Sequence, residues 1–120
     1  MENKRRAWIY CAIDAPEDEH KALKRQRQEL VSYAEQMSFE TVGSSSDLGG
    51  HPLWNRHGFH QLVDAVREGR VDVLLIVNFS CLSRAGMQLA RFEAWVKNCG
   101  LRVFSPLAGE ILCAGKGMDI

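Results

Sequence analysis

The sequence predicts a single α/β domain in which a mostly parallel sheet of four or five strands carries helices on both faces. Apolar runs rich in strand-forming residues alternate with segments of helical periodicity, an order typical of parallel strands joined by crossover helices. The clearest strand runs lack polar alternation, as expected when both faces of a strand are covered. The chain has 120 residues, the size of one domain. We expect a core over about residues 7–105 and a tail over 106–120.

The first half of the chain predicts two strands and one long helix. Residues 7–13 (AWIYCAI) read as a buried strand, which ends before Pro16 at the start of a helix. The helix is expected over residues 17–37, where the apolar stripe is Leu23, Leu30, Val31, Ala34 and Met37. The charged residues expected on its solvated side are Lys21, Lys24 and Arg25. Residues 39–43 predict a short second strand, and the polar, glycine-containing residues 44–57 predict a long loop, which in a compact domain is usually functional or mobile.

The second half predicts two helices and two further strands. Residues 58–68 form an amphipathic helix, whose apolar positions are Phe59, Leu62, Val63 and Val66. Residues 71–79 (VDVLLIVNF) are the strongest strand signal in the chain. A third helix over 86–99 leads to a fourth strand over 101–105. A glycine follows the helix over 58–68 and another follows the helix over 86–99, as is common at helix ends. Residues 106–120 are either a fifth short strand or a loose tail.

Composition restricts the classes of function. The formal net charge is zero, whereas a domain that holds DNA by itself is usually basic, so we expect the isolated chain to bind DNA poorly without sequence specificity. The cysteines are widely spaced and form no CxxC pair, which favours free buried thiols at Cys11, Cys81, Cys99 and Cys113. No signal-peptide pattern opens the chain, and the longest aliphatic run, residues 73–77, is too short to span a bilayer. We therefore expect a cytoplasmic protein without a membrane partner.

Polar residues gather where the predicted strands end, which is where ligand sites lie in parallel sheets. These residues are Asp14, Asp47, Arg56, Ser80, Ser83, Arg84 and Ser105. Gln26 adds an amide inside the apolar stripe of the first helix, where a buried polar group must find a partner. Two arginines that converge on a cleft indicate a phosphate or carboxylate ligand. The alternative is that these groups pair with one another and hold loops, and the residues alone leave both interpretations open.

Several short motifs, kept in order, carry a resemblance to the serine recombinases, the resolvase/invertase family. Residues 9–14 (IYCAID) resemble the family's first strand, Y-x-R-V-S, whose last residue is the nucleophilic serine. Residues 23–30 (LKRQRQEL) are similar to its L-x-x-Q-R-x-x-L helix. Residues 47–49 (DLG) and 55–59 (NRHGF) resemble its D-x-G loop and R-P-G-F/L helix start. Residues 71–84 resemble its D-V-(apolar)-K-L-D-R-L-S-R run, so the order and spacing hold throughout the predicted core.

This resemblance implies a resolvase-catalytic-domain-like fold and a DNA strand-exchange reaction. In the family, the serine attacks a DNA phosphodiester, a phosphoserine linkage forms, and strands are exchanged and resealed within a tetramer. No metal or other cofactor is implied, so preorganised arginines would stabilise the phosphoryl group. The matching positions are Gln26, Asp47, Arg56 and Arg84, with Asp14 at the position of the nucleophile. The implied partner is DNA, reached through a larger assembly or a C-terminal region, and a homo-oligomer fits the same picture.

Four positions depart from the family pattern. Asp14 stands in place of the serine, Ala12 in place of an arginine, and Ser80 and Cys81 in place of an Asp-Arg pair. Two positive charges are lost, one negative charge is gained and one is lost, so the site is more negative than the family's. A carboxylate about 4 Å from a phosphate costs on the order of 4 kcal/mol at an effective dielectric near 20. We therefore expect no strand exchange, and an interaction or regulatory role, either as a fragment of a longer recombinase-like protein or as a naturally short relative from a mobile element.

Two other functions stay open at this point. One is a metal-dependent phosphoryl-transfer enzyme that uses Asp14, and the other is a module that binds a phosphate ester. The histidines beside Asp47 are a weak metal candidate, since surface histidines next to a loop are far more common: His51, His57 and His60. We interpret Trp54, in the long loop, as a lid on the core rather than an anchor for a partner.

Overall fold

The computed structural model describes residues 4–13, 19–48, 51–83 and 85–111, with only the backbone described at residues 19 and 20. Strands and helices alternate along these residues in the predicted order. The strands are β1 (Arg6–Ile13), β2 (Glu40–Leu48), β3 (Val73–Leu75), β4 (Arg102–Ser105) and β5 (Gly109–Ile111). The helices are α1 (Glu19–Gln36), α2 (His57–Arg67) and α3 (Gly86–Cys99), with short 3-10 turns at Leu53–Asn55 and Phe79–Cys81.

The strands form one mostly parallel sheet. Its order is β2-β1-β3-β4-β5, and the first four strands run parallel while β5 pairs antiparallel with β4. The predicted fold class is therefore confirmed. The chain passes from β1 to β2 on one side of β1 and then to β3 on the opposite side of β1. The direction in which strands are added therefore reverses between β1 and β3. Ligand crevices in open α/β sheets lie outside the carboxyl ends of the strands at such a switch point.

Alternate residues of the strands supply two separate cores. On one face, α2 and α3 pack on Trp8, Tyr10, Ala12, Leu74 and Ile76 through buried residues that include Phe59, Leu62, Phe92 and Val96. On the other face, α1 packs on Ala7, Ile9, Cys11, Val73 and Leu75 through Leu30, Tyr33 and Ala34. Period-2 alternation within apolar strands thus covers both faces of the sheet, as the sequence predicts.

The second strand is longer than predicted. The structure has β2 running to Leu48, and its residues Ser44 to Leu48 pair in register with Ile9 to Ile13 of β1. The prediction of a loop from residue 44 is wrong because the polar side chains of this stretch have partners inside the fold. Ser45 and Asp47 alternate onto the α2 face, where both accept hydrogen bonds. Hydrophobic patterning cannot detect a strand whose side chains are satisfied by hydrogen bonds.

The third strand is shorter than predicted, and the tail contains a fifth. β3 has three residues, and the chain then turns into the 3-10 segment, which Asn78 caps by accepting a hydrogen bond from the Ser80 N–H at 2.9 Å. Of the two alternatives for the tail, the strand is present at Gly109–Ile111. It is tied to β4 by a bidentate ion pair in which Arg102 contacts Glu110 at 2.7 and 2.8 Å.

The cysteine prediction holds only in part. Cys11 and Cys81 are buried free thiols, but Cys99 is exposed, because it is the last residue of α3 and lies beyond Val96, the last buried residue of that helix. Cys113 lies outside the described residues. Across the part of the chain that the structure covers, none of the helices has the length and apolar character that a membrane span requires.

Candidate functional site

The candidate site surrounds the carboxyl end of β1. The ladder between β1 and β3 ends with the pair Ile9–Leu75, whereas the ladder between β1 and β2 continues to Ile13. Residues 10–13 therefore project beyond β3 at the switch point of the sheet. In the described part of the chain, this projecting end is held by side chains from α1, from β2 and from the segment before α2.

Gln26 of α1 supplies the first of these contacts. Its amide oxygen accepts a hydrogen bond from the Ala12 N–H at 3.2 Å, and its amide nitrogen donates to the Ala12 carbonyl at 3.0 Å. The side chain thus occupies both backbone groups of Ala12, as a neighbouring strand would. This two-point contact is the partner that a polar residue within an apolar helix stripe predicts.

Asp47 at the end of β2 is the second contact, and it caps α2 from a neighbouring strand. One carboxylate oxygen accepts from the Gly58 N–H at 2.8 Å, and the other accepts from the Phe59 N–H at 2.9 Å and from the Tyr10 hydroxyl at 2.8 Å. The first N–H groups of a helix have no partner within the helix and carry its positive dipole end. A carboxylate placed there satisfies these donors and favours the start of α2 at this point.

Arg56 is the third contact and is only 5% exposed. Its Nε donates to the His51 carbonyl at 2.9 Å, and one terminal nitrogen donates to the Cys81 carbonyl at 2.8 Å and to the Tyr10 hydroxyl at 3.3 Å. Arg56 therefore donates to backbone carbonyls the hydrogen bonds that a surface arginine would donate to an anion. The guanidinium ties the segment before α2 to the turn after β3.

Tyr10 joins Asp47 to Arg56, and its role was not predicted from the sequence. Its hydroxyl donates to Asp47 and accepts from Arg56. Burial raises the pKa of the Tyr10 phenol, so the hydroxyl keeps its proton at neutral pH and remains a donor. The available signal was a tyrosine in a fully buried strand, because a buried phenol requires a hydrogen-bond partner. Ser45 was missed too: it accepts from the Trp8 indole at 3.0 Å and donates to the Gly58 carbonyl at 2.7 Å.

Gly58 allows β2 and α2 to approach this closely. A Cβ at residue 58 would lie 2.6 Å from an Asp47 carboxylate oxygen and 2.6 Å from the Ser46 carbonyl, distances that require the backbone to move. We expect Gly58→Ala to lower the free energy of unfolding by about 1–3 kcal/mol, measured by urea denaturation.

A matched control for this change exists in the first turn of α3. A Cβ at Gly86 would meet nothing within 4 Å. Gly86→Ala should therefore be neutral or stabilise the fold by up to about 1 kcal/mol through helix propensity. Equal effects of the two changes would contradict the close approach at Gly58.

The structure brings together three of the predicted site residues. Each of the three forms a direct hydrogen bond with the segment Tyr10–Ala12: Gln26 with Ala12, and Asp47 and Arg56 with Tyr10. Asp14 and Arg84 lie outside the described residues. Of the predicted serines, Ser80 is exposed and bonds to Asn78, while the hydroxyls of Ser83 and Ser105 accept from nearby N–H groups and hold turns.

Ala12 and Cys81, which stand in place of two arginines of the family pattern, are both buried among apolar residues. Ala12 is 4% exposed and Cys81 is 7% exposed, and both belong to the core beneath α2 and α3. Burial raises the pKa of the Cys81 thiol to about 12, so the group is neutral at physiological pH. Both side chains are therefore small, uncharged and packed within the apolar core.

The remaining candidates lie in α2 or in the segment before it. His51, His57 and His60 are exposed, and in the described residues no group of three or more His, Cys, Asp or Glu side chains is arranged to hold a metal ion. Trp54 packs edge-on against Phe59 and Trp95 with ring centroids 4.9 and 5.7 Å away, beneath the Arg91 guanidinium at 4.4 Å. It lies over the α2–α3 core, in the lid position.

Comparison with known proteins gives consistent matches over most of the chain. A family model described as "Resolvase, N terminal domain" matches residues 15–109. The C-terminal catalytic domain of ISC1926 TnpA, described as an IS607-like serine recombinase, is similar with 26% sequence identity and a TM-score of 0.74 over 83% of this chain. This chain spans 66% of that domain's length, just under two thirds.

Two more distant structures share the fold. The N-terminal catalytic domain of TP901-1 integrase has a TM-score of 0.73 at 18% identity, covering 88% of this chain and 79% of that one. A resolvase family site-specific recombinase from Streptococcus pneumoniae has a TM-score of 0.73 at 17% identity, covering 88% and 74%.

Proposed function

Because this chain belongs to the resolvase N-terminal domain family, we propose that it is a serine-recombinase-type domain that has lost strand cleavage and acts through contacts with other macromolecules. It would serve as an interaction or regulatory domain and would reach DNA within a larger assembly. The family membership rests on a match over residues 15–109. The loss of cleavage rests on the residues around the end of β1.

The observation that carries the proposal is the burial of Ala12 and Cys81. Both side chains pack in the apolar core at positions where the family pattern has arginine. Removing one preorganised donor from a transition state costs about 3–4 kcal/mol, or a factor of roughly 10²–10³ in rate. Two such losses leave little stabilisation for the charge that develops on a transferring phosphoryl group.

The contacts of Arg56 support the same proposal. Its Nε and one of its terminal nitrogens donate to the carbonyls of His51 and Cys81 and to the Tyr10 hydroxyl, so these hydrogen bonds hold the protein chain together. The carboxyl group of Asp14, at the position of the family's serine, would repel a phosphate. An acyl phosphate formed by Asp14 would hydrolyse readily and is unsuited to resealing a strand.

We expect the chain to form no covalent protein–DNA adduct. It should be fused to the DNA-binding domain of an active family member and incubated with that member's recombination site. Adducts are then separated by denaturing gel electrophoresis, and the active member's own catalytic domain in the same fusion is the positive control. An adduct formed by the unmodified chain would contradict the proposal. Magnesium-dependent cleavage that disappears in Asp14→Asn would contradict it too, in favour of a metal-dependent enzyme.

A restored variant completes this test. The combined changes Ala12→Arg, Asp14→Ser and Cys81→Arg return the family residues to the fusion, and some cleavage should reappear if the scaffold is intact. Because residues 12 and 81 are buried, thermal unfolding of the variant must first establish that it folds. A folded but silent variant would show that Ser80 or a C-terminal region is needed as well.

A further inference from the structure

A groove lies on the opposite face of the sheet from Asp47 and Arg56. It runs between the first half of α1 and the edge strand β2 and has a volume of about 360 Å³. Its walls are Leu23, Lys24 and Arg27 on the helix side and Ser44, Ser45 and Ser46 on the strand side, with Cys11 between them. The proposed recombinase-type function makes no use of this groove.

Helical and strand spacing place the polar groups on facing walls. Lys24 and Arg27 are three residues apart on α1 and share one side of the helix. Ser44 and Ser46 alternate along β2 and pair with Ile9 and Cys11, whose side chains face α1. The Arg27 Nε donates to the Ser44 hydroxyl at 3.3 Å, and this bond orients the guanidinium along the groove.

The charge of the groove is positive and uncompensated within the described residues. No carboxylate lines it, and neither Lys24 nor Arg27 forms an ion pair in the part of the chain that the structure describes. Four other arginines do pair with carboxylates, namely Arg6, Arg67, Arg70 and Arg102. Cys11 adds no charge, because burial raises the pKa of its thiol to about 11.

We propose that this groove binds a phosphate group, either of a free phosphate ester or of a phosphodiester. A guanidinium, an ammonium and two hydroxyls offer several donors from opposite sides, which suits the three or four oxygens of a phosphate. The volume, at the small end of ligand sites, suits a phosphate ester rather than a large cofactor. The inference does not depend on the proposed function, since it uses residues on the other face of the sheet.

The test is a titration of the complete chain followed by two-dimensional NMR of backbone amides. The probes are inorganic phosphate, glycerol phosphate and a short single-stranded oligonucleotide, each at constant ionic strength with chloride as the competing anion. We expect saturable shifts confined to residues of the groove walls, at Lys24, Arg27, Ser44 and Ser46. The absence of saturable shifts with all three probes would overturn the proposal.

Charge-matched variants separate a site from general attraction. Arg27→Gln should weaken binding about tenfold or more, because it removes a charge-assisted hydrogen-bond donor, while Arg27→Lys should retain part of the affinity. Lys21→Gln and Arg25→Gln remove the same charge from exposed positions of α1 that do not line the groove, and each should change affinity less than about twofold. Equal weakening by Arg27→Gln and the two controls would also overturn the proposal.

The probes distinguish the two sources of phosphate. Tighter binding of glycerol phosphate than of the oligonucleotide, expressed per phosphate, supports a free ester as the ligand. Tighter binding of the oligonucleotide, with affinity that falls steeply as salt rises, supports a phosphodiester. Either result of the fusion experiment, an adduct or none, would leave both outcomes unaffected, because that experiment reports on the other face of the sheet.

Discussion

Arg56→Met is expected to lower the free energy of unfolding by about 3–5 kcal/mol, because each buried acceptor left without its donor costs about 1–3 kcal/mol. The change keeps the unbranched apolar stem but leaves the carbonyls of His51 and Cys81 without this donor. It also leaves the Asp47 carboxylate and Tyr10 without the neighbouring positive charge. Domains of this kind are stable by only about 5–15 kcal/mol, so the loss would be visible directly in urea denaturation midpoints.

Arg67→Met is the matched control for this prediction. Arg67 lies in the last turn of α2 and forms an exposed ion pair with Asp64 at 3.6 Å, with side-chain exposures of 74% and 64%. Its loss should change stability by less than about 1 kcal/mol. If Arg56→Met proved as mild as Arg67→Met, with the urea dependence unchanged, Arg56 would not be the tie between α2 and the turn after β3.

The second large effect is expected for Asp47→Ala, with a loss of about 2–3 kcal/mol. This figure combines the loss of a helix cap, worth about 0.5–2 kcal/mol, with the loss of a negative charge at the helix N-terminus and of a partner for the Tyr10 hydroxyl. Amide hydrogen exchange supplies a local readout. The amides of Gly58 and Phe59 should exchange faster than in the wild type by more than amides in the middle of α3, because they lose their acceptor directly.

Two further variants make this prediction specific. Asp64→Ala removes an exposed carboxylate from α2 itself and should leave the exchange rates of the Gly58 and Phe59 amides unchanged. Asp47→Asn keeps one acceptor oxygen and should fall between the wild type and Asp47→Ala in stability. Uniform acceleration of exchange throughout the protein in Asp47→Ala would indicate global destabilisation without a capping role.

Much of the sheet could be predicted from the sequence because its inner strands are apolar on both faces. Residues 7–13 match β1 closely, and residues 101–105 match β4. The end of β2 could not be predicted in this way, because Ser44 to Asp47 are polar and belong to a strand only through hydrogen bonds to partners distant in sequence. Val71 to Phe79 gave the opposite error, since apolar residues continue past the three that pair as β3.

The sequence indicates which residues lie at the site better than it indicates which hydrogen bonds they form. The interruption of an apolar stripe at Gln26 indicates a buried partner, and the strand ends place Asp47 near Arg56. The sequence does not show that Asp47 caps α2 or that Tyr10 lies between the two charges, because both facts depend on the extension of β2 past residue 43. The interpretation that these groups hold loops, left open by the sequence, describes the contacts of Asp47 and Arg56.

The amide of Gln26 has one more consequence, for the position of α1 along its own axis. Apolar packing between a helix and a sheet has little directional preference, whereas a hydrogen bond depends on both the distance and the direction between its two groups. Two hydrogen bonds to a single residue, Ala12, permit only one axial position. The same bonds therefore fix the height at which Lys24 and Arg27 stand opposite the serines of β2.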